Sequence, residues 1–136
     1  MDAQVITRLL VAVGLALVGV VLLAYTVWAR RGGSPAARRW MGNEFGSGTR
    51  DERMTVLGGP ALAVLSLCAA AMVLPGIGIY LALAAVPLGL LAFVMLLWAL
   101  MLFIPLPTAL YPAWARPLRD RNRRTEQSIR AGLRRR

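Results

Sequence analysis

Residues 54–115, MTVLGGPALAVLSLCAAAMVLPGIGIYLALAAVPLGLLAFVMLLWALMLFIPLPTALYPAWA, contain no charged side chain. This run of 62 residues lies in a chain of 136. A soluble domain of that size has too small a core to hide most of its own length. Disorder needs the opposite composition, polar and charged. Treated as one helix, 54–104 alone would reach roughly 77 Å, more than twice the thickness of a hydrocarbon core. The run must therefore fold back on itself. Pro75-Gly76-Ile77-Gly78 marks the place, because proline followed by permissive glycines makes a tight turn.

The turn divides the run into spans at 54–74 and 79–104, both long enough to cross a bilayer. The two should form a tight helical hairpin. Gly58-Gly59-Pro60 interrupts the first of them. A helix starting at Pro60 would be too short to cross, so the start belongs near Asp51 or Glu52, capped by Thr49 or Asp51. A loosened turn is then expected around 58–60. Pro87 should bend the later span, which ends at Ile104 because Pro105 and Pro107 follow.

Working outward, a further apolar run covers 6–29, and 9–29 carries no charge. It matches the bilayer thickness as a helix. Arg30-Arg31 follows it, whereas Arg8 alone precedes it and is offset by Asp2. Those flanks suit a retained anchor rather than a cleaved signal peptide. The loop 30–53 holds six arginines and three acidic residues. Trp40, Met41 and Phe45 are its large apolar residues, and Trp40 is expected as an anchor at headgroup level. The segment after 104 begins with four prolines among thirteen residues, and its Tyr111 and Trp114 suit a stretch lying along the headgroups. The tail 116–136 carries nine arginines against Asp120 and Glu126, with Leu118, Ile129 and Leu133 as a weak apolar stripe.

The net charge of +10 is thus placed, not spread. Residues 1–8 are neutral overall, the middle loop is +3 and the tail +7. With three spans, fifteen arginines fall on one side and one on the other. The positive-inside rule then puts the N-terminus outside and the C-terminus in the cytoplasm. The fold expected is an all-α membrane protein, residues 1–136 forming a single transmembrane domain. The expected setting is a cell membrane, specifically a bacterial plasma membrane, since every basic residue is arginine, as GC-rich coding favours.

Reactive chemistry is sparse. Histidine and lysine are absent, which removes histidine-based triads and zinc sites, Schiff bases and the phosphate-loop lysine. Cys68 is alone, so no disulfide closes within the chain, and its apolar setting suits a buried thiol. No acidic residue lies in a span, where ion pathways and proton relays usually need one. Asp51-Glu52 is better explained by the charge at a helix start and by neighbouring arginines than by metal binding. No catalytic residue, cofactor or metal is expected. Small residues four apart permit close helix packing: Ala12 and Ala16, Gly59 and Ala63, Ser66 and Ala70, Ala85 and Gly89. Ser66 can reach another helix, but a bond to its own Leu62 carbonyl is the expected state.

The candidate contact residues are Arg30, Arg31, Arg38, Arg39, Arg116, Arg119, Arg121, Arg123 and Arg124, facing anionic lipid headgroups or a partner protein. Nucleic acid is not expected, because no aromatic follows Trp114 in the basic tail. The leading function is an accessory or scaffold subunit of a membrane assembly. A homo-oligomeric pore or small-solute transporter component is the alternative. A lipid-modifying enzyme using Asp51 and Glu52 is the third.

Overall fold

A computed structural model describes residues 2–41, 49–101 and 104–135. Helix α1 covers Ala3–Arg31. A single 3-10 turn follows at Arg39–Met41. Helix α2, Thr49–Arg53, continues through a π-helical turn at Met54–Gly58 into α3, Gly59–Val73. Helix α4 covers Gly78–Leu100, and α5 covers Arg116–Arg134 beyond a 3-10 turn at Thr108–Leu110. No strand occurs among the described residues. Ala3–Arg31, Asp51–Val73 and Gly78–Leu100 are each long and apolar enough to cross a membrane. Phe45 and the residue preceding α2 lie outside the described residues.

The turn at 75–78 is built as its residues require. Gly76 has φ +79°, a left-handed conformation that side chains resist. The Gly78 N–H donates to the Leu74 carbonyl at 3.0 Å, closing the turn. Helix α4 then runs unbroken through Pro87 and stops at Leu100, four residues short of Ile104.

Helix α3 sits between α1 and α4, and contacts both. In the span Asp51–Val73, 39% of the most apolar stretch is buried, against 17% in each neighbouring span. The buried positions explain the packing. In α4 they are Gly78, Ala85, Ala92 and Ala99, a strict seven-residue repeat of small side chains. In α1 they include Ala12, Gly19 and Thr26, again seven apart. A seven-residue contact repeat is the pattern of left-handed helix pairing, and small residues let the backbones approach. Gly19 is the closest point on α1: a Cβ there would meet Leu67 Cγ at 2.8 Å and the Ala63 carbonyl oxygen at 3.1 Å.

That close approach redirects Ser66. Its hydroxyl donates to the Leu15 carbonyl of α1 at 2.7 Å, not to Leu62. Gly19 stands four residues after Leu15, and its missing side chain leaves that carbonyl open from the α3 side. A carbonyl has two lone pairs, so it can serve both helices. We expect Ser66→Ala to destabilise the α1–α3 pair by about 0.6 kcal/mol, the average for such bonds between membrane helices. Reversible unfolding in mixed micelles measures it.

Candidate functional site

The largest fully buried side chains, Tyr111, Met41 and Leu106, all lie at the arginine-rich end of the bundle. Around them Ala29, Trp40, Val56, Leu57, Ala99 and Ala115 form the hydrophobic core cluster. A chain whose spans are apolar all round would not be expected to hold its core at one end. The reason lies in the helix ends. The last four carbonyls of a helix have no donor within it, and each must find one elsewhere.

Helix α1 ends at Gly32, which has φ +58°. The indole Nε1 of Trp40 donates to the Ala29 carbonyl at 3.1 Å, and that of Trp114 to the Arg30 carbonyl at 2.7 Å. The Arg38 Nε donates to the Gly32 carbonyl at 2.6 Å. The Arg38 guanidinium also lies 5.3 Å from the centre of a Trp114 ring. Trp40 and Trp114 meet edge to face at 5.4 Å, a favoured aromatic geometry. Trp40 was expected at headgroup level and is instead buried. Tyr111, expected in a stretch lying along the headgroups, is buried as well, and Trp114 is half-buried. The physical reason is that indole is a donor with a large apolar body, so it can cap a carbonyl in a dry place.

The π-helical turn closes with the Gly59 N–H donating to the Met54 carbonyl, five residues back. Pro60 follows and has no N–H, so the Val56 carbonyl loses its α-helical donor. Arg30 replaces it, with Nη1 3.3 Å from the Val56 oxygen. The Arg30 Nη2 reaches the Leu110 carbonyl at 2.8 Å, tying α1, the π turn and the proline-rich segment together. Arg53 does the same for α4. Its Nη1 donates to Trp98 at 3.3 Å and to Met101 at 2.6 Å, and its Nη2 donates to Ile104, all backbone carbonyls. A cation there also answers the negative end of the helix dipole.

The last part joins α2 to α5. Glu52 and Arg119 form an ion pair at 3.7 Å with side chains 7% and 10% exposed. Arg119 Nη1 donates to the Tyr111 hydroxyl, and Nη2 to the Leu106 carbonyl at 2.7 Å. The Arg119 guanidinium carbon stands 4.1 Å from the Tyr111 ring centre. Tyr111 donates in turn to Glu52 at 3.4 Å. Asn122 Nδ2 reaches the other Glu52 oxygen and the Met41 carbonyl, both at 3.2 Å. Trp98 Nε1 and Arg119 Nε are buried without a hydrogen-bond partner among the described residues.

Burial pushes the Tyr111 hydroxyl up from 10 to about 12; Arg119 pulls it down and Glu52 adds to the rise. A phenol raised on folding holds its proton in the native state where the unfolded chain has released it. Stability from this group is therefore complete below pH 10 and falls as pH rises towards 12. Arginine stays charged over that window, so its pairing survives. The difference in alkaline ultraviolet titration between wild type and Tyr111→Phe isolates the group. Tyr111→Phe should lose that part of the alkaline stability loss.

The nine sequence-derived arginines thus separate. Arg119 is buried and Arg30 half-buried, both holding backbone carbonyls. Arg38 and Arg116 are exposed but each bonds a local carbonyl, Arg116 that of Tyr111 at 3.3 Å. Arg31, Arg39, Arg121, Arg123 and Arg124 are exposed. Helix α5 is anchored by Leu118, Arg119 and Asn122, and from Arg123 to Arg135 every residue is exposed. Sequence reasoning did not single out Arg53, Tyr111 or Asn122 as structural links. The missing N–H of Pro60 was a usable signal, since it predicts a donor for Val56.

Chemically, this end of the molecule is a clasp that satisfies helix termini. No group of three or more His, Cys, Asp or Glu side chains comes together among the described residues. No known protein family, no curated protein and no solved structure matches the chain.

Proposed function

We infer that the protein is a non-catalytic, multi-pass membrane protein serving as an accessory or scaffold subunit. Three helices of spanning length support the multi-pass reading. The N-terminus lies outside, the turn at 75–78 returns α3 to α4 on that side, and the clasp and α5 lie in the cytoplasm. The arginine distribution supports this orientation.

One observation carries the scaffold role. The clasp fixes the first turns of α5 against the bundle, while its last twelve residues are exposed and carry four arginines. A rigidly based, basic, solvent-exposed helix suits the presentation of charge to an acidic partner or an anionic leaflet. Glu52, the carboxylate a lipid-modifying enzyme would need beside Asp51, is engaged by Arg119, Tyr111 and Asn122. That ranks the enzyme reading lower.

Purification in mild detergent with native lipids tests the role. A second membrane protein should co-purify in fixed ratio. Truncation after Asn122 should release it, because the clasp survives and the exposed helix does not. A lone monomer from the full chain contradicts the proposal.

A further inference from the structure

A cleft of about 480 Å³ opens between α1 and the α2–α3 span, sharing Trp40 with the edge of the clasp. Its size falls in the usual range of ligand pockets, roughly 300–1,000 Å³. Its walls are graded. Arg39 and Asp51, one cation and one anion, stand at the charged end. Leu22 and Leu62 supply the apolar part, from the spanning portions of α1 and α3. Thr55, four residues on from Asp51, and Tyr25 also line the cleft. Among the described residues, the side chains of Arg39, Asp51 and Thr55 take part in no hydrogen bond or ion pair. Two opposite charges that share a cleft and do not pair with each other suit a ligand carrying both.

We propose that this cleft binds a zwitterionic phospholipid with a primary ammonium headgroup, a phosphatidylethanolamine. Arg39 takes the phosphate, with the Thr55 hydroxyl as a second donor. Asp51 accepts from the ammonium in a charge-assisted hydrogen bond. An acyl chain lies along Leu22 and Leu62, continuous with the bilayer. A choline headgroup has the same charges but no N–H, so it forfeits the Asp51 bond. A phosphatidylglycerol has no cation for Asp51 at all. The inference rests on the membrane-spanning reading and not on the scaffold role, so failure to co-purify a partner leaves it intact.

Native mass spectrometry of the full-length protein tests it, with phosphatidylethanolamine, phosphatidylcholine and phosphatidylglycerol of identical chains added at equal concentration. A one-to-one ethanolamine adduct should dominate by about tenfold, the factor for one charge-assisted bond. Asp51→Asn should lower the ethanolamine adduct to the choline level, and Asp51→Glu should restore the preference. Arg39→Gln should weaken all three adducts. Gln4→Ala, exposed at the far end of α1, should change none of them. Helix content by circular dichroism confirms that each variant is folded. Equal binding of the three lipids overturns the proposal. So does a preference for phosphatidylglycerol, which would mean attraction to the basic surface, or an ethanolamine preference unchanged by Asp51→Asn.

Discussion

Arg119→Met is expected to destabilise the protein by about 3–5 kcal/mol, the usual effect of removing one partner from a buried ion pair. The size follows from what is left behind. Glu52 loses its cation in a site where its side chain is 7% exposed. The Leu106 carbonyl loses a donor at 2.7 Å, and Tyr111 loses the guanidinium over its ring. Glu52→Gln alone should cost less, because an amide can still accept from Tyr111 and keeps its shape. The double variant should be more stable than the sum of its parts predicts, since neither charge is then stranded. Unfolding titrations of the four proteins in one micelle composition give the coupling directly. Additive effects would mean that the pair is not coupled. Arg123→Met, four residues on and exposed, should stay within about 0.5 kcal/mol of wild type.

The second large effect falls on a glycine. Gly32 has φ +58°, and a Cβ there would lie 2.5 Å from the Trp114 indole. Gly32→Ala therefore meets two penalties: about 1–2 kcal/mol for the left-handed backbone, and a further 1–3 kcal/mol, roughly, for overpacking. The indole must move, and its bond to the Arg30 carbonyl goes with it. Two other glycines separate the penalties. Gly76 has φ +79° but open space around it, so Gly76→Ala should show the backbone part alone. Gly33 has neither constraint, and Gly33→Ala should be near neutral. Thermal unfolding should rank them Gly33, Gly76, Gly32, from mildest to most severe. Equal losses at Gly32 and Gly76 would show that Trp114 does not pack as described.

The spans were legible because burial in hydrocarbon demands an unbroken apolar run, and charge marks its ends. The turn at 75–78 and the loosened turn before Pro60 were legible for a related reason, since proline and glycine act through local backbone chemistry. The seven-residue repeat Gly78, Ala85, Ala92, Ala99 was equally present in the sequence, but pairs four apart drew the attention. The clasp was not legible. Glu52 and Arg119 are 67 positions apart, and Arg30 and Leu110 are 80. Such pairings depend on where helix ends meet in space. The aromatic residues misled for the same reason. Trp40 and Trp114 have the composition of interfacial anchors, and only the fold puts uncapped carbonyls beside them. Ser66 shows a smaller case: the partner it finds depends on a glycine in another helix.

The proposed function rests on a proposed arrangement, three spans with both arginine-rich segments in the cytoplasm. A dual-topology reporter placed after Arg136 and, separately, within the turn at 75–78 tests that most directly. The account predicts a cytoplasmic signal from the C-terminal fusion and an external signal from the turn. An external signal at the C-terminus, or the same side for both, would contradict it.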